Sequence, residues 1–302
     1  MNFTSKKTAR DFRADARTAL KGHWGIAVLV SFLASILGAT SGNAGAVFAD
    51  INRHSLAEIY ATLTQHRGDF AAADILSLLQ QLMHLLVPML AEAFAMGLAL
   101  YLIGGCIKLG LCRFRLALLD GEKTSVGILF SGFNNMFFKA LGLRFLCDLF
   151  IFLWTLLLTI PLTGILSVFL LSAGNELPEG PIATLIALPC FLVLVFLVAG
   201  IILAISLRYS MAYYALAENP NMTAMDAIRE SCRMMKGNKW RLFCLQISFL
   251  GWAMLCALSA GIGCLWYIPY VGQAEAAFYH EISGRAAVRQ AVSELDAFMQ
   301  DI

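Results

Sequence analysis

The run from Ile182 to Leu207, IATLIALPCFLVLVFLVAGIILAISL, carries no charged residue, and Arg208 follows it directly. A bilayer's hydrocarbon core is about 30 Å thick and a helix rises about 1.5 Å per residue, so about 20 apolar residues cross it. This run meets that length with residues to spare and is read as a membrane span.

Working outward, similar runs recur. Gly25 to Phe48 and Leu242 to Ala260 carry no charge, Leu82 to Ile107 carries only Glu92, and Phe145 to Ala173 only Asp148. A final stretch, 264–282, is more polar, with Pro269, Gln273, Glu275 and Glu281. The composition fits this count. Of 302 residues, 59% are apolar and 14% charged, against about 25% charged in a soluble domain. The mean hydropathy is +0.73. So much apolar surface needs lipid as its solvent, and a net charge of +2 suggests no nucleic-acid partner.

The basic residues set the orientation, because Lys and Arg gather in cytoplasmic loops. Residues 1–24, 108–144 and 208–241 hold six each, while 49–81 holds two and 174–181 none. Counting 264–282 as a sixth span puts both termini in the cytoplasm and twenty of the 22 basic residues with them. Five spans would leave eighteen inside. The reading taken is six spans, at about 25–48, 82–107, 145–173, 182–207, 242–260 and 264–282. The first run is expected to stay as an anchor rather than be cleaved as a signal peptide.

The basic segments resemble one another. Thr8, Ala9, Asp11, Asp15, Lys21 and Gly22 align without gaps with Thr223, Ala224, Asp226, Glu230, Lys236 and Gly237. The middle segment begins similarly at Thr124 and Ser125 but is shorter. Ala224, Ala227, Ile228, Ser231, Met234 and Met235 recur at helical spacing. Arg229, Arg233 and Lys236 lie toward the other face. Such an amphipathic helix either lies among anionic headgroups, basic side outward, or packs under the bundle as an elbow, and both can hold. Thr223 with Asp226 three residues on predicts a capped helix start. The expected architecture is all-α: a six-span bundle with cytoplasmic amphipathic helices, organised as three hairpin units.

Several linked stretches resemble a known family. They are LKGHW (20–24), LLDGEK (118–123), RYSMAYYALAEN (208–219), AIRESCRMMKGNKW (227–240), SFLGW (248–252), GIGCLWYIPY (261–270) and AFY (277–279). Together they are similar to the bacterial integral membrane proteins grouped as domain of unknown function 975. The resemblance implies a six-span membrane protein and no particular activity.

Few residues suggest chemistry. Glu92 sits mid-span, where a charged carboxylate facing lipid costs several kcal/mol. Its readings are a proton or cation site, or a structural hydrogen bond. His84, eight residues earlier, shares its face, and Glu275 is a second intramembrane carboxylate. Asp148 follows Arg144 by four residues and is explained as an ion pair. No hydrolase elbow, phosphate loop or metal-binding signature is present, so neither catalysis, a metal nor a cofactor is expected. The eight cysteines show no CxxC spacing. The expectation is a non-enzymatic scaffold or regulator in a bacterial plasma membrane, touching anionic lipid. The alternative is a transporter or channel with Glu92 as its coupling carboxylate.

Overall fold

The computed structural model describes residues 7–39, 72–134, 136–176, 181–259 and 261–285. Among them the chain is all helical. In order the helices are α1 (Ala9–Leu20), α2 (Trp24–Ile36), α3 (Ala72–Leu119), α4 (Phe137–Glu176), α5 (Pro181–Tyr209), α6 (Ala212–Glu218), α7 (Ala224–Met234), α8 (Lys239–Ile247), α9 (Leu250–Leu258) and α10 (Cys264–Ile282). A 3₁₀ segment, Val126–Phe133, lies between α3 and α4.

Four stretches are long and apolar enough to cross a membrane: Leu90–Leu119, Phe137–Gly164, Val195–Glu218 and Lys239–Leu258. A fifth is added if α1 and α2, bent by 104°, count as one. The segment expected as the sixth span, Cys264–Ile282, forms one helix with those bounds but is not among them. Gln273, Glu275, His280 and Glu281 lower its hydropathy. Its stretch from Pro269 to Tyr279 is largely buried inside the chain.

Two boundaries are corrected. The first expected span, 25–48, stops early as a helix: α2 ends at Ile36 and a left-handed Gly38 (φ 79°) turns the chain there, while 40–48 lie outside the described residues. The sequence reading ends the second span at Ile107 and opens a basic loop at Lys108. The helix instead runs unbroken to Leu119, carrying Lys108, Arg113 and Arg115 on its last turns. The charges do not end it because each has a partner within the chain. Arg113 Nη1 donates to Ser131 Oγ at 3.2 Å, and Arg115 Nη1 donates to Tyr214 Oη at 3.2 Å. The Lys108 ammonium lies 4.5 Å from the ring centre of Tyr213. Leu56, Ile59, Tyr60 and Leu63 recur on one side of 55–67 and predict a short outer helix, but that stretch lies outside the described residues.

The packed core sits at one end of the long helices. Phe12, Leu20, Leu109, Phe114, Leu129, Leu216, Phe249, Phe278 and Tyr279 are almost fully buried there. The 3₁₀ segment lies tight along α3. A Cβ on Gly110 would strike the Leu129 carbonyl oxygen, and one on Gly132 would strike that of Cys106. No other residue permits this approach.

Away from that end the helices show apolar side chains outward. Phe94 and Phe196 are each 73% exposed and Leu258 is 84% exposed. A monomeric soluble protein rarely shows apolar surface on this scale. The hydroxyls in this region bond to their own helix. Thr155, Thr159 and Thr163 of α4 each donate to the carbonyl four residues back at 2.8 Å. That is how polar groups are satisfied where water is absent. Four long apolar helices clad in this way mark a membrane-embedded protein.

The matched segments at the front and in the second half fold alike. In both a Thr precedes the helix, Thr8 for α1 and Thr223 for α7. Thr223 Oγ1 accepts from the Asp226 N–H at 3.2 Å, and Thr8 N–H donates to Asp11 Oδ2 at 2.7 Å. Each helix is followed by a left-handed glycine, Gly22 (φ 83°) and Gly237 (φ 78°). The middle segment differs. VGILFSGF has no polar face to turn outward and forms the 3₁₀ piece.

Candidate functional site

A cavity of about 560 Å³ lies where α3, α4, α5, α6 and α10 meet. Helical spacing builds its walls. Lys108, Cys112 and Arg115 stand on one face of α3, at intervals of four and three residues. Arg144, Cys147, Asp148 and Ile151 do the same on α4, and Tyr267, Val271, Gly272 and Glu275 on α10. The α5–α6 junction supplies Tyr209, Tyr213 and Tyr214.

The polar groups are held by one another and by backbone carbonyls around the cavity. Arg115 donates to Tyr214, whose hydroxyl donates in turn to the Gly272 carbonyl at 3.3 Å. Gln273 Nε2 donates to the Arg115 carbonyl at 3.0 Å. Arg144 Nη1 donates to the Gly38 carbonyl at 3.2 Å, and its Nε lies a loose 3.9 Å from Asp148. Gln246 Nε2 donates to Glu275 at 3.4 Å. Three cations thus face two carboxylates. One carboxylate is loosely paired and the other is held by an amide. The Arg115 Nε–H is buried without a hydrogen-bond partner among the described residues. The cavity therefore carries an excess of positive charge, which suits an anion. Lys108, Asp148 and Leu203 are exposed, so it opens to the outside of the chain.

The three candidate residues from the sequence do not converge. Glu275 lines the cavity. Glu92 and His84 lie on the earlier turns of α3, exposed, and line no part of it. The basic trio sits elsewhere again. The apolar side of α7 (Ala227, Ile228, Ser231, Met234) is buried in the protein, so the helix is an elbow packed against the bundle. Arg229, Arg233 and Lys236 point outward. Arg233 Nε donates to Glu230 Oε2 at 2.8 Å, and Arg229 lies 3.5 Å from Asp226. A hydrogen bond from the Thr223 hydroxyl first, and its backbone bond next, hold the Asp226 carboxyl below the usual range. Hydrogen bonding from Arg233 does the same for Glu230.

Sequence reasoning missed Lys108, Arg115, Arg144, Tyr213 and Tyr214. The first three were counted as loop charges, Arg144 also as the partner of Asp148, a pair the structure places at 3.9 Å. The signal was the regular spacing of Lys108, Cys112 and Arg115, readable once the helix is carried past Ile107.

The stretches that carry the family resemblance meet at the closed end. Tyr270 packs against Trp24 and Trp252, with ring centres 6.3 and 6.2 Å apart. Tyr214 stacks on Tyr279 at 5.4 Å, and Tyr279 Oη donates to Glu218 at 2.5 Å. Arg285 pairs with Asp120 at 2.5 Å, and His280 Nε2 lies 3.4 Å from the same carboxylate. Arg241 bridges Glu281 at 2.7 Å and the Lys7 carbonyl at 2.8 Å.

No curated protein and no solved structure matches this chain. One family model does, over residues 1–286, and that is nearly the whole length. The chain belongs to the family described as Protein of unknown function (DUF975).

Proposed function

We propose that this chain is a non-enzymatic scaffold or regulator in a bacterial plasma membrane. Its closed, basic end lies at the cytoplasmic face, against anionic headgroups. The observation that carries this reading is the split between the two ends. Side chains such as Phe94, Phe196 and Leu258 face outward along the long helices, while Arg229, Arg233 and Lys236 project from an elbow locked to the core. Anionic lipid attracts such residues by about 1 kcal/mol each.

In this reading the chain crosses six times. Cys264–Ile282 is a span shielded from lipid by α1, α2 and α3. Its polar residues are tolerated because protein groups meet them: Gln246 for Glu275, the Arg115 carbonyl for Gln273 and Arg241 for Glu281.

The test is side-specific labelling with a membrane-impermeant amine reagent, followed by peptide mass spectrometry. Lys123 and Lys236 are expected to stay unmodified in intact cells and to react in inverted vesicles. Their modification in intact cells would overturn the orientation. For the lipid contact, hydrogen exchange across 224–240 is expected to slow in nanodiscs containing phosphatidylglycerol relative to phosphatidylcholine. Equal exchange in the two would remove that part.

A further inference from the structure

We infer that the cavity among α3, α4, α5, α6 and α10 is a binding site for the phosphate group of an anionic amphiphile. The inference rests on the membrane reading above and goes beyond it, because this site is separate from the basic trio on α7.

The walls have two characters. Lys108 and Arg115 stand a little under two turns apart on α3, with Arg144 facing from α4. Among the described residues the Lys108 ammonium meets the face of Tyr213 and donates no hydrogen bond, which leaves protons to offer a ligand. Arg115 lines the same cavity, its guanidinium seated on Gly272. A guanidinium presents a planar fork suited to phosphate oxygens, and an ammonium adds a point charge. The Tyr214 hydroxyl that holds Arg115 passes its own proton to the Gly272 carbonyl. The fork is therefore fixed before any ligand arrives, which lowers the ordering cost of binding.

The other wall is apolar, with Ile151 of α4 and Leu203 of α5. Leu203 is also exposed on the apolar surface of the long helices, so the mouth is reached from where acyl chains lie. A volume of about 560 Å³ holds a headgroup and the first methylenes of a chain rather than a whole lipid. An inorganic or sugar phosphate would use the same cations but would gain nothing from Ile151 and Leu203.

The experiment uses the purified full chain in a non-ionic detergent, with lipid adducts counted by native mass spectrometry. Phosphatidylglycerol is expected to outcompete phosphatidylcholine by at least about tenfold, since each nearby cation contributes roughly a factor of five. Lys108→Gln is expected to cut that preference about fivefold. Lys108 is exposed, so this variant should keep the wild-type elution profile. The triple variant Arg229→Gln, Arg233→Gln, Lys236→Gln should leave the preference in place. Equal binding of the two lipids would overturn the inference, as would a preference untouched by Lys108→Gln. A preference lost only in the triple variant would place lipid on α7 and not in the cavity. Displacement of phosphatidylglycerol by millimolar inorganic phosphate would overturn the amphiphile and leave a soluble phosphate as the occupant. None of these outcomes bears on whether Lys236 faces the cytoplasm, so the two readings fail separately.

Discussion

Gly272 lies so close against the guanidinium of Arg115 that a Cβ at this position would collide with it. The α-carbon of one helix therefore serves as a floor for a charged group of another. Gly272→Ala is expected to push Arg115 away from Tyr214 and to destabilise the protein by about 1–3 kcal/mol, the usual cost of overpacking. Gly142→Ala is the control. A Cβ there meets only the Cβ of Ala224, at an ordinary 3.8 Å. In mid-helix that change should be neutral or stabilising by about 0.5–1 kcal/mol. Thermal unfolding of both variants in detergent gives the comparison, and opposite signs are expected.

The contact between α3 and the 3₁₀ segment makes a second case. Gly110→Ala sets a methyl against the carbonyl of Leu129, and backbone yields less readily than a flexible side chain. The loss is expected to match or exceed that of Gly272→Ala, at about 3 kcal/mol. Equal stability of Gly110→Ala and wild type in denaturant melts would mean that the segment is not held this closely.

Acid should loosen the α7 elbow. Asp226 and Glu230 both titrate below their ordinary values of 3.8 and 4.5, because Thr223 and Arg233 hydrogen-bond their charged forms. A carboxyl with a depressed folded pKa adds stability above its unfolded pKa and loses it as pH falls through the folded one. The elbow is therefore expected to hold its full stability above about pH 5 and to open progressively below pH 4. Protease cleavage within 224–240, followed against pH, checks this. Asp226→Asn combined with Glu230→Gln should flatten the profile.

Glu92 separates the scaffold from the transporter. It is exposed on α3 and lines no part of the cavity. Because Glu92 faces outward within an apolar span, Glu92→Gln removes a charge from the lipid-facing surface and is expected to leave the fold intact or stabilise it. In proteoliposomes it should leave ion and proton flux at the wild-type level. Loss of a pH-dependent flux in an otherwise well-folded variant would restore the coupling role.

Long helices were legible where long uncharged runs are not cut by glycine or serine turns. The uncharged run beginning at Ile182 became α5 almost residue for residue, and Cys264–Ile282 has the expected ends. Hydropathy failed where a charged residue is paired inside the fold. Lys108, Arg113 and Arg115 ended the apolar run on paper, yet their partners Tyr213, Ser131 and Tyr214 lie 18 to 105 residues further along. Nothing local announces such partners. The cavity was hidden for the same reason. Its cations come from two turns of α3 and one of α4, and only the carboxylates Asp148 and Glu275 stood out, each in an apolar stretch. Glu92 stood out by the same criterion but faces outward, because intramembrane position alone does not say which way a side chain points.

The unbroken course of α3 has a mechanical consequence. Its 48 residues make a rod of about 72 Å, more than twice the thickness of a hydrocarbon core. One end is clamped by the 3₁₀ segment, α6 and α10, and the other carries bare apolar side chains. Pro88 is the weak point between them, because its ring removes one rung of the helix ladder. It stands 20 residues before Lys108, about 30 Å or one hydrocarbon thickness away. Bending at that point moves the turns before it and leaves Lys108 and Arg115 where they are.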